Sequence, residues 1–327
     1  MGLIVYSCPY VPAELIAAYG LVPSRILPAS SGLTGPVDVT AGVCPYMRGF
    51  VNTACAIPDV RAIILTTVCD QMRHAKDYVD RWTSIPSFLL NVTSTWQVPE
   101  AMQLYVSELK RLGRFLESMG GKAPAGQTLW RVMETYDGKR NKLRLLRSNL
   151  KARDYSIAIA DFGRSGEVRQ AAGSRISTSR GIPVGLLGGP LTQRAFNLFD
   201  LLERFGGEVV LDGTESGERT MPAPFNSQYS LEDDPVEELA QSYFGHIPDV
   251  FRRPNSELYK WFGREVDARG IRGVVLVRHV WCDKWNAEVS RIREWLKISM
   301  LDVDIDGEPS SMARNSGRIQ SFMETLS

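Results

Sequence analysis

Arg61-Ala62-Ile63-Ile64-Leu65-Thr66-Thr67-Val68-Cys69-Asp70-Gln71-Met72-Arg73 reads as an apolar strand that runs out onto a cysteine and turns into a helix. Asp70 suits an N-cap or first-turn position, where free backbone N–H groups favour negative charge. The same order returns near the other end. Gly273-Val274-Val275-Leu276-Val277 is a buried-type strand, and Cys282-Asp283 follow it at the start of a helix running to Leu296. Open parallel sheets place their ligands just beyond the carboxyl ends of their strands. Both cysteines therefore have a site address, one in each half of the chain.

Working outward, short apolar runs alternate with longer amphipathic stretches, the rhythm of βαβ units around parallel sheets. In the first half, strands are predicted at Leu3–Tyr6, Ser24–Leu27, Arg61–Thr67 and Phe88–Val92, with helices opening at Pro12, at Pro45 and at Pro99. The helix Pro99–Met119 stops at Gly120-Gly121, and a basic helix runs from about Leu129 to Lys151. A second series begins with the strand Ile182–Leu187. It continues through a helix Thr192–Phe205, a strand Glu208–Leu211, helices near Val236–Phe244 and Ser256–Ala268, and a strand Met300–Val303, and closes on a helix ending at Leu326. The expected class is α/β, with two α/β lobes built on parallel sheets joined near residues 150–180. The lobes are predicted at 1–155, with Cys44, Cys69 and trailing helices, and at 156–327, with Cys282.

The chain has 327 residues, beyond the size at which one core usually keeps growing, and 44% hydrophobic content, ample for two. Its 38 basic and 37 acidic residues nearly cancel, so no electrostatic feature calls for nucleic acid or an anionic membrane as the main partner. No apolar run approaches the ~20 residues of a membrane span, and Met1-Gly2-Leu3-Ile4-Val5-Tyr6 reads as a first strand rather than a signal peptide. A cytoplasmic, soluble protein is expected. Five cysteines, an odd number with no export signal, favour reduced thiols or metal ligands over a disulfide framework.

Cys44 joins the other two in Val43-Cys44-Pro45-Tyr46-Met47-Arg48, where Pro45 suits a first helical position. Three thiolates at three helix starts suit an anionic metal–sulfur cluster. Spacing alone does not name the metal, because familiar zinc and iron–sulfur signatures place ligands within a few residues of each other. Unpaired cysteines are also common as small buried hydrophobes.

The order of motifs is more specific. Cys8-Pro9-Tyr10-Val11-Pro12-Ala13-Glu14-Leu15-Ile16, Cys44-Pro45-Tyr46-Met47-Arg48-Gly49-Phe50, Thr67-Val68-Cys69-Asp70-Gln71-Met72-Arg73, Gly206-Gly207-Glu208-Val209-Val210-Leu211-Asp212, Cys282-Asp283, Asp302-Val303-Asp304 and Arg318-Ile319-Gln320-Ser321-Phe322-Met323-Glu324 follow one another. This series resembles the 2-hydroxyacyl-CoA dehydratase and benzoyl-CoA reductase family over nearly the whole chain.

The resemblance implies two flavodoxin-like lobes with a four-iron four-sulfur cluster at their junction. Cys44, Cys69 and Cys282 would hold it, leaving the fourth iron open to water, hydroxide or substrate. It also implies one-electron chemistry on an acyl-CoA thioester through a ketyl radical anion, as a dehydratase (lyase) or an aromatic acyl-CoA reductase (oxidoreductase). The partners implied are a homologous second catalytic subunit and a separate ATP-hydrolysing iron–sulfur activator that delivers low-potential electrons. No Walker-type Gly-x-x-x-x-Gly-Lys-Ser/Thr occurs in this chain, which places ATP hydrolysis elsewhere.

Further candidates carry two readings each. Cys8 ends the first strand, as a core thiol or as the extra ligand of relatives with a fused double cluster; Cys55, among apolar neighbours, reads as packing. His279 and Arg48 are placed to hydrogen-bond cluster sulfides or a substrate oxygen, or are a satisfied strand histidine and a surface cation. Ser30 and Ser31 offer a hydroxyl near the open iron, or simply a flexible turn. Gly188-Gly189-Pro190-Leu191-Thr192 offers a helix N-terminus to a CoA phosphate, or a tight strand-to-helix turn. Lys139, Arg140, Lys142, Arg144, Arg147 and Lys151 face CoA phosphates or the activator, or form a solvated helix face. Two functions remain open: a catalytic subunit acting on an acyl-CoA, and a non-catalytic iron–sulfur electron-transfer or assembly subunit of a larger redox complex. A zinc-stabilised binding protein is a distant third, since His279 and Cys282 form the only close ligand pair.

Overall fold

Strands β1 (Leu3–Tyr6), β2 (Val22–Arg25), β3 (Val60–Thr66) and β4 (Ser87–Leu90) pair in parallel in the order β2-β1-β3-β4. Strands β5 (Ile182–Gly188), β6 (Gly207–Thr214), β7 (Gly273–His279) and β8 (Ser299–Ile305) repeat that arrangement as β6-β5-β7-β8. Counted within each sheet, both run 2-1-3-4, the flavodoxin-like order. Its topological switch lies between the first and third strands. The two parallel α/β lobes expected from the sequence rhythm are present in this computed structural model, which describes residues 2–30, 34–38, 41–169, 181–226, 234–306 and 309–327.

Parallel neighbours need crossovers, and helices supply them. In the first lobe these are α1 (Ala13–Ala18), α2 (Pro45–Ala56) and α3 (Asp70–Trp82). In the second they are α7 (Asn197–Arg204), α9 (Ser256–Ala268) and α10 (Asp283–Trp295), with α11 (Pro309–Leu326) after β8. None of the described helices is long and apolar enough to cross a membrane.

Several boundaries differ from the sequence reading for identifiable reasons. The second strand is predicted at Ser24–Leu27, yet its ladder begins at Val22 and includes Pro23. The amides of Val22 and Ile26 donate to Gly2 and Tyr6, which turns the Pro23 nitrogen to the open edge, where no ladder bond is lost. The predicted helix Thr192–Phe205 is a 3₁₀ turn over Gln193–Phe196 followed by α7, with the Thr192 side chain capping the turn by accepting from Ala195 N.

Beyond the first sheet come α4 (Pro99–Ser118) and α5 (Gly126–Leu146). The basic helix predicted to reach Lys151 ends at Leu146, and a separate α6 (Ala152–Ser165) occupies the predicted junction. Helix α6 ends on Gly166 at φ 68°, the left-handed C-cap that glycine adopts without penalty. It packs against both β2 and β6, so the edge strands of the two sheets share one helix.

The chain then crosses back. Helix α8 (Pro235–Ala240), continued by one π turn over Gln241–Gly245, packs on α4 of the first lobe. Phe244 stacks on Tyr105 with ring centroids 5.1 Å apart, Phe251 meets the Tyr10 ring edge-on at 5.1 Å, and Tyr10 Oη donates to Ile247 O at 3.0 Å. A further apolar cluster runs between the sheets, joining Val5, Ile63 and Leu65 to Val184, Leu186 and Val275.

Candidate active site at the lobe junction

Each sheet carries its switch point at the carboxyl ends of its first and third strands, and the two switch points share one cavity. Ser7 and Cys8 after β1, and Thr66, Val68 and Cys69 at the end of β3, form part of its first-lobe wall. Pro190 after β5, Glu215 after β6, and His279 and Cys282 at the end of β7 form the opposing wall. The space between them opens to solvent on one side.

Cys44, Cys69 and Cys282 all line this cavity. Each is the N-cap of a helix, α2, α3 and α10 respectively, and its carbonyl accepts the first helical bond, from Arg48, Arg73 and Asn286. No thiol closes a capping hydrogen bond. First-turn amides nevertheless face each one and favour its thiolate: Tyr46 and Met47 for Cys44, Gln71 and Met72 for Cys69, Trp285 for Cys282. Gln71 ties two of these helices together, its Oε1 accepting from Cys44 N at 2.9 Å.

Burial opposes thiolate formation in the protein alone, pushing Cys44 up to about 11 and Cys282 up to about 12 and raising Cys69. Metal ligation would supply the compensating positive charge, because a coordinated thiol is bound as thiolate. Among the described residues no three His, Cys, Asp or Glu side chains converge closely enough to grip a single metal ion. A cluster of several iron and sulfur atoms needs its thiolates spread around a volume instead. Three cysteines on separate helix starts around one cavity fit that requirement.

Other predicted residues divide. His279 is buried in the cavity wall; Nε2 donates to Pro190 O at 2.7 Å, and burial lowers its pKa. Cys8 also lines the cavity while being 6% exposed, with burial pushing it up to about 12. Arg48 lies buried in the first turn of α2 and is not part of the cavity wall. Cys55 is half-buried against the apolar core. Ser31 lies outside the described residues.

Gly188 and Gly189 sit behind Pro190 rather than on the wall. Gly188 adopts φ 148°, and a Cβ there would fall 1.9 Å from Val277 O, so the close approach of β5 to β7 accounts for the glycine. Most of the basic row is paired within the protein. Arg140 is buried against Glu14, Arg144 donates to Pro222 O, Arg147 to Glu218, Lys139 to Glu167 and Lys151 to Glu203, while Lys142 is exposed.

Two wall residues were not singled out by sequence. Glu215 has no hydrogen bond or ion pair to its carboxyl from any described residue. Burial and the nearby Asp249 charge push it up to about 7, against the opposing pull of Arg25 and Arg219. Its charge reaches all three cysteines. Tyr46, two residues after Cys44, packs its ring on His279 at 5.5 Å and leaves its buried hydroxyl without a partner. The available signal for Glu215 was its place just past the end of β6, the position that marks sites in open sheets.

A search of curated proteins finds no match. Residues 8–326 match the family described as 2-hydroxyglutaryl-CoA dehydratase, D-component. With the match covering both lobes and all three cavity cysteines, the chain belongs to the 2-hydroxyglutaryl-CoA dehydratase D-component family.

Proposed function

We propose that the chain is the cluster-bearing catalytic subunit of a 2-hydroxyacyl-CoA dehydratase-type enzyme, with Cys44, Cys69 and Cys282 holding a four-iron four-sulfur cluster whose fourth iron has no cysteine. The observation that carries this reading is the convergence of three cysteines, from two sheets and three helix starts, on one cavity at the facing switch points. When bound, such a cluster supplies single electrons and a Lewis-acidic iron for a thioester carbonyl. A homologous chain and a separate ATP-hydrolysing activator complete the assembly in this reading, and acyl-CoA is the substrate.

The protein's own groups have distinct tasks. The first-turn amides stabilise three thiolates, and the Gln71 bridge fixes the spacing between α2 and α3. Met47, Val68, Met72, Val250 and Trp285 line the wall with apolar surface that limits water. His279 is locked in orientation by the Pro190 carbonyl and the Tyr46 ring. Glu215, titrating near neutrality, can hold or release a proton at its carboxyl. An unpaired carboxyl at the wall favours chemistry over simple electron carriage, for which a sealed apolar shell suffices.

Anaerobic purification with iron and sulfide analysis and EPR tests the ligand set. Cys44→Ala, Cys69→Ala and Cys282→Ala are each expected to lose iron or change the spectrum. Retention of a full, spectroscopically unchanged cluster by all three variants would refute the assignment.

A further inference from the structure

The cavity wall carries polar capacity that the protein does not use. Most of its polar groups are engaged: Gln71 Oε1 accepts from Cys44 N, Asp249 pairs with Arg219 at 2.6 Å, and His279 Nε2 donates to Pro190 O. Glu215 differs. Its backbone is pinned on both sides, N donating to Gly188 O at 3.2 Å and O accepting from Arg25 Nη2 at 2.8 Å and from Thr220 Oγ1 at 2.9 Å. Glu215 lines the cavity wall, and its carboxyl closes no hydrogen bond or ion pair with a described residue, feeling only the charges of Asp249, Arg25 and Arg219. The Tyr46 hydroxyl feels the Glu215 charge and has no partner of its own, and its ring is fixed against His279.

A ligand that fills this cavity strips water from such groups, at a cost in free energy that a matching ligand atom restores. A plain aliphatic or aromatic acyl chain restores none of it. A hydroxyl restores both, donating its O–H to the carboxylate and accepting from the phenol. We propose that Glu215, supported by Tyr46, is the specificity-determining element of this cavity and reads a hydroxyl on the acyl chain of a bound thioester. The inference rests on the acyl-CoA reading above. It concerns hydrogen bonding in the bound complex and involves no covalent step.

The test is anaerobic calorimetric titration of the cluster-loaded, full-length chain, together with any subunit that co-purifies, using 2-hydroxybutyryl-CoA and butyryl-CoA as probes. Wild type is expected to bind the hydroxylated probe about tenfold or more tightly, since a site built to meet a hydroxyl discriminates strongly against its absence. Tyr46→Phe and Glu215→Leu are each expected to shrink that ratio through weaker binding of the hydroxylated probe alone. Glu215→Gln, which keeps a polar amide, retains most of it. Tyr46→Phe removes a single oxygen and serves if Glu215→Leu does not fold, with iron content and circular dichroism verifying each variant. A wild-type ratio near one, an unchanged ratio in the variants, or equal weakening of both probes overturns the assignment and leaves the thioester reading standing. Failure of wild type to bind either probe overturns both.

Discussion

Burial and the Asp249 charge push the Glu215 carboxyl up to about 7, from 4.5 for a free glutamate. The folded chain therefore holds this proton more tightly than the unfolded chain does. The corresponding stability is fully present below about pH 4.5 and is lost as pH rises through 7, amounting to about 3 kcal/mol at most. In cluster-free protein, Glu215→Gln is expected to remove that slope. Urea denaturation at a series of pH values should show wild type losing stability relative to the variant between pH 4.5 and 7.5; parallel curves would contradict it. At this scale the cysteines were legible, because a strand end followed by a helix start can be read from a single segment. Glu215 was not, because Asp212-Gly213-Thr214-Glu215-Ser216 is an ordinary polar turn until β6 is set beside β5. Tyr46 lay inside a quoted motif, but only the His279 ring from the other lobe defines its surroundings.

Helix α5 shows how a charge row on one element is reinterpreted by its neighbours. Arg140 is 2% exposed and Glu14 is fully buried. Their ion pair joins α5 to α1, and Tyr243 Oη adds a hydrogen bond to the same carboxylate at 2.7 Å, while the Phe225 ring lies 5.1 Å from the guanidinium. Sequence periodicity cannot separate such an arginine from its solvated neighbours, since the partners come from 126 and 103 positions away. Arg140→Met would strand a buried carboxylate and is expected to cost about 3–5 kcal/mol. Adding Glu14→Gln to that variant should recover much of the loss, because the neutral amide no longer needs a cation. Chemical denaturation of wild type, single and double variants checks this, and equal stability of the two variants would count against the buried-charge explanation. The elements themselves were mostly legible from periodicity. Helix α6 was missed although Tyr155, Ile159 and Phe162 keep helical spacing, because the break at Ser148-Asn149-Leu150 resembles the start of a linker.

At the scale of the whole molecule, the two sheets are equivalent in topology but do not own equal shares of the core. Residues after β6 return to the first lobe, where Leu239, Phe244, Ile247 and Phe251 are buried among Tyr10, Tyr105 and Leu109. Nothing in a linear reading of alternating strands and helices indicates such a return, because the packing face of α8 is chosen by α4 and not by its own sequence neighbours. Burying those four side chains contributes about 6–12 kcal/mol, comparable with the whole stability of a typical domain, about 5–15 kcal/mol. A fragment of residues 1–166 therefore retains β1–β4 and α1–α6 but lacks a decisive part of its core. It is expected to show strand and helix signals in far-UV circular dichroism, little near-UV signal and no cooperative thermal transition. Co-expression with residues 181–327 should restore a single sharp transition, since the return segment then reoccupies its place on α4. A fragment 1–166 that melts cooperatively within a few degrees of the full chain would show that the return segment is dispensable for the first lobe. In that event the cavity would depend on docking of two preformed lobes. If the fragment fails as expected, the three cysteines are brought together by the same folding event that completes the first lobe's core, and under the proposed function cluster insertion would follow folding of the entire chain.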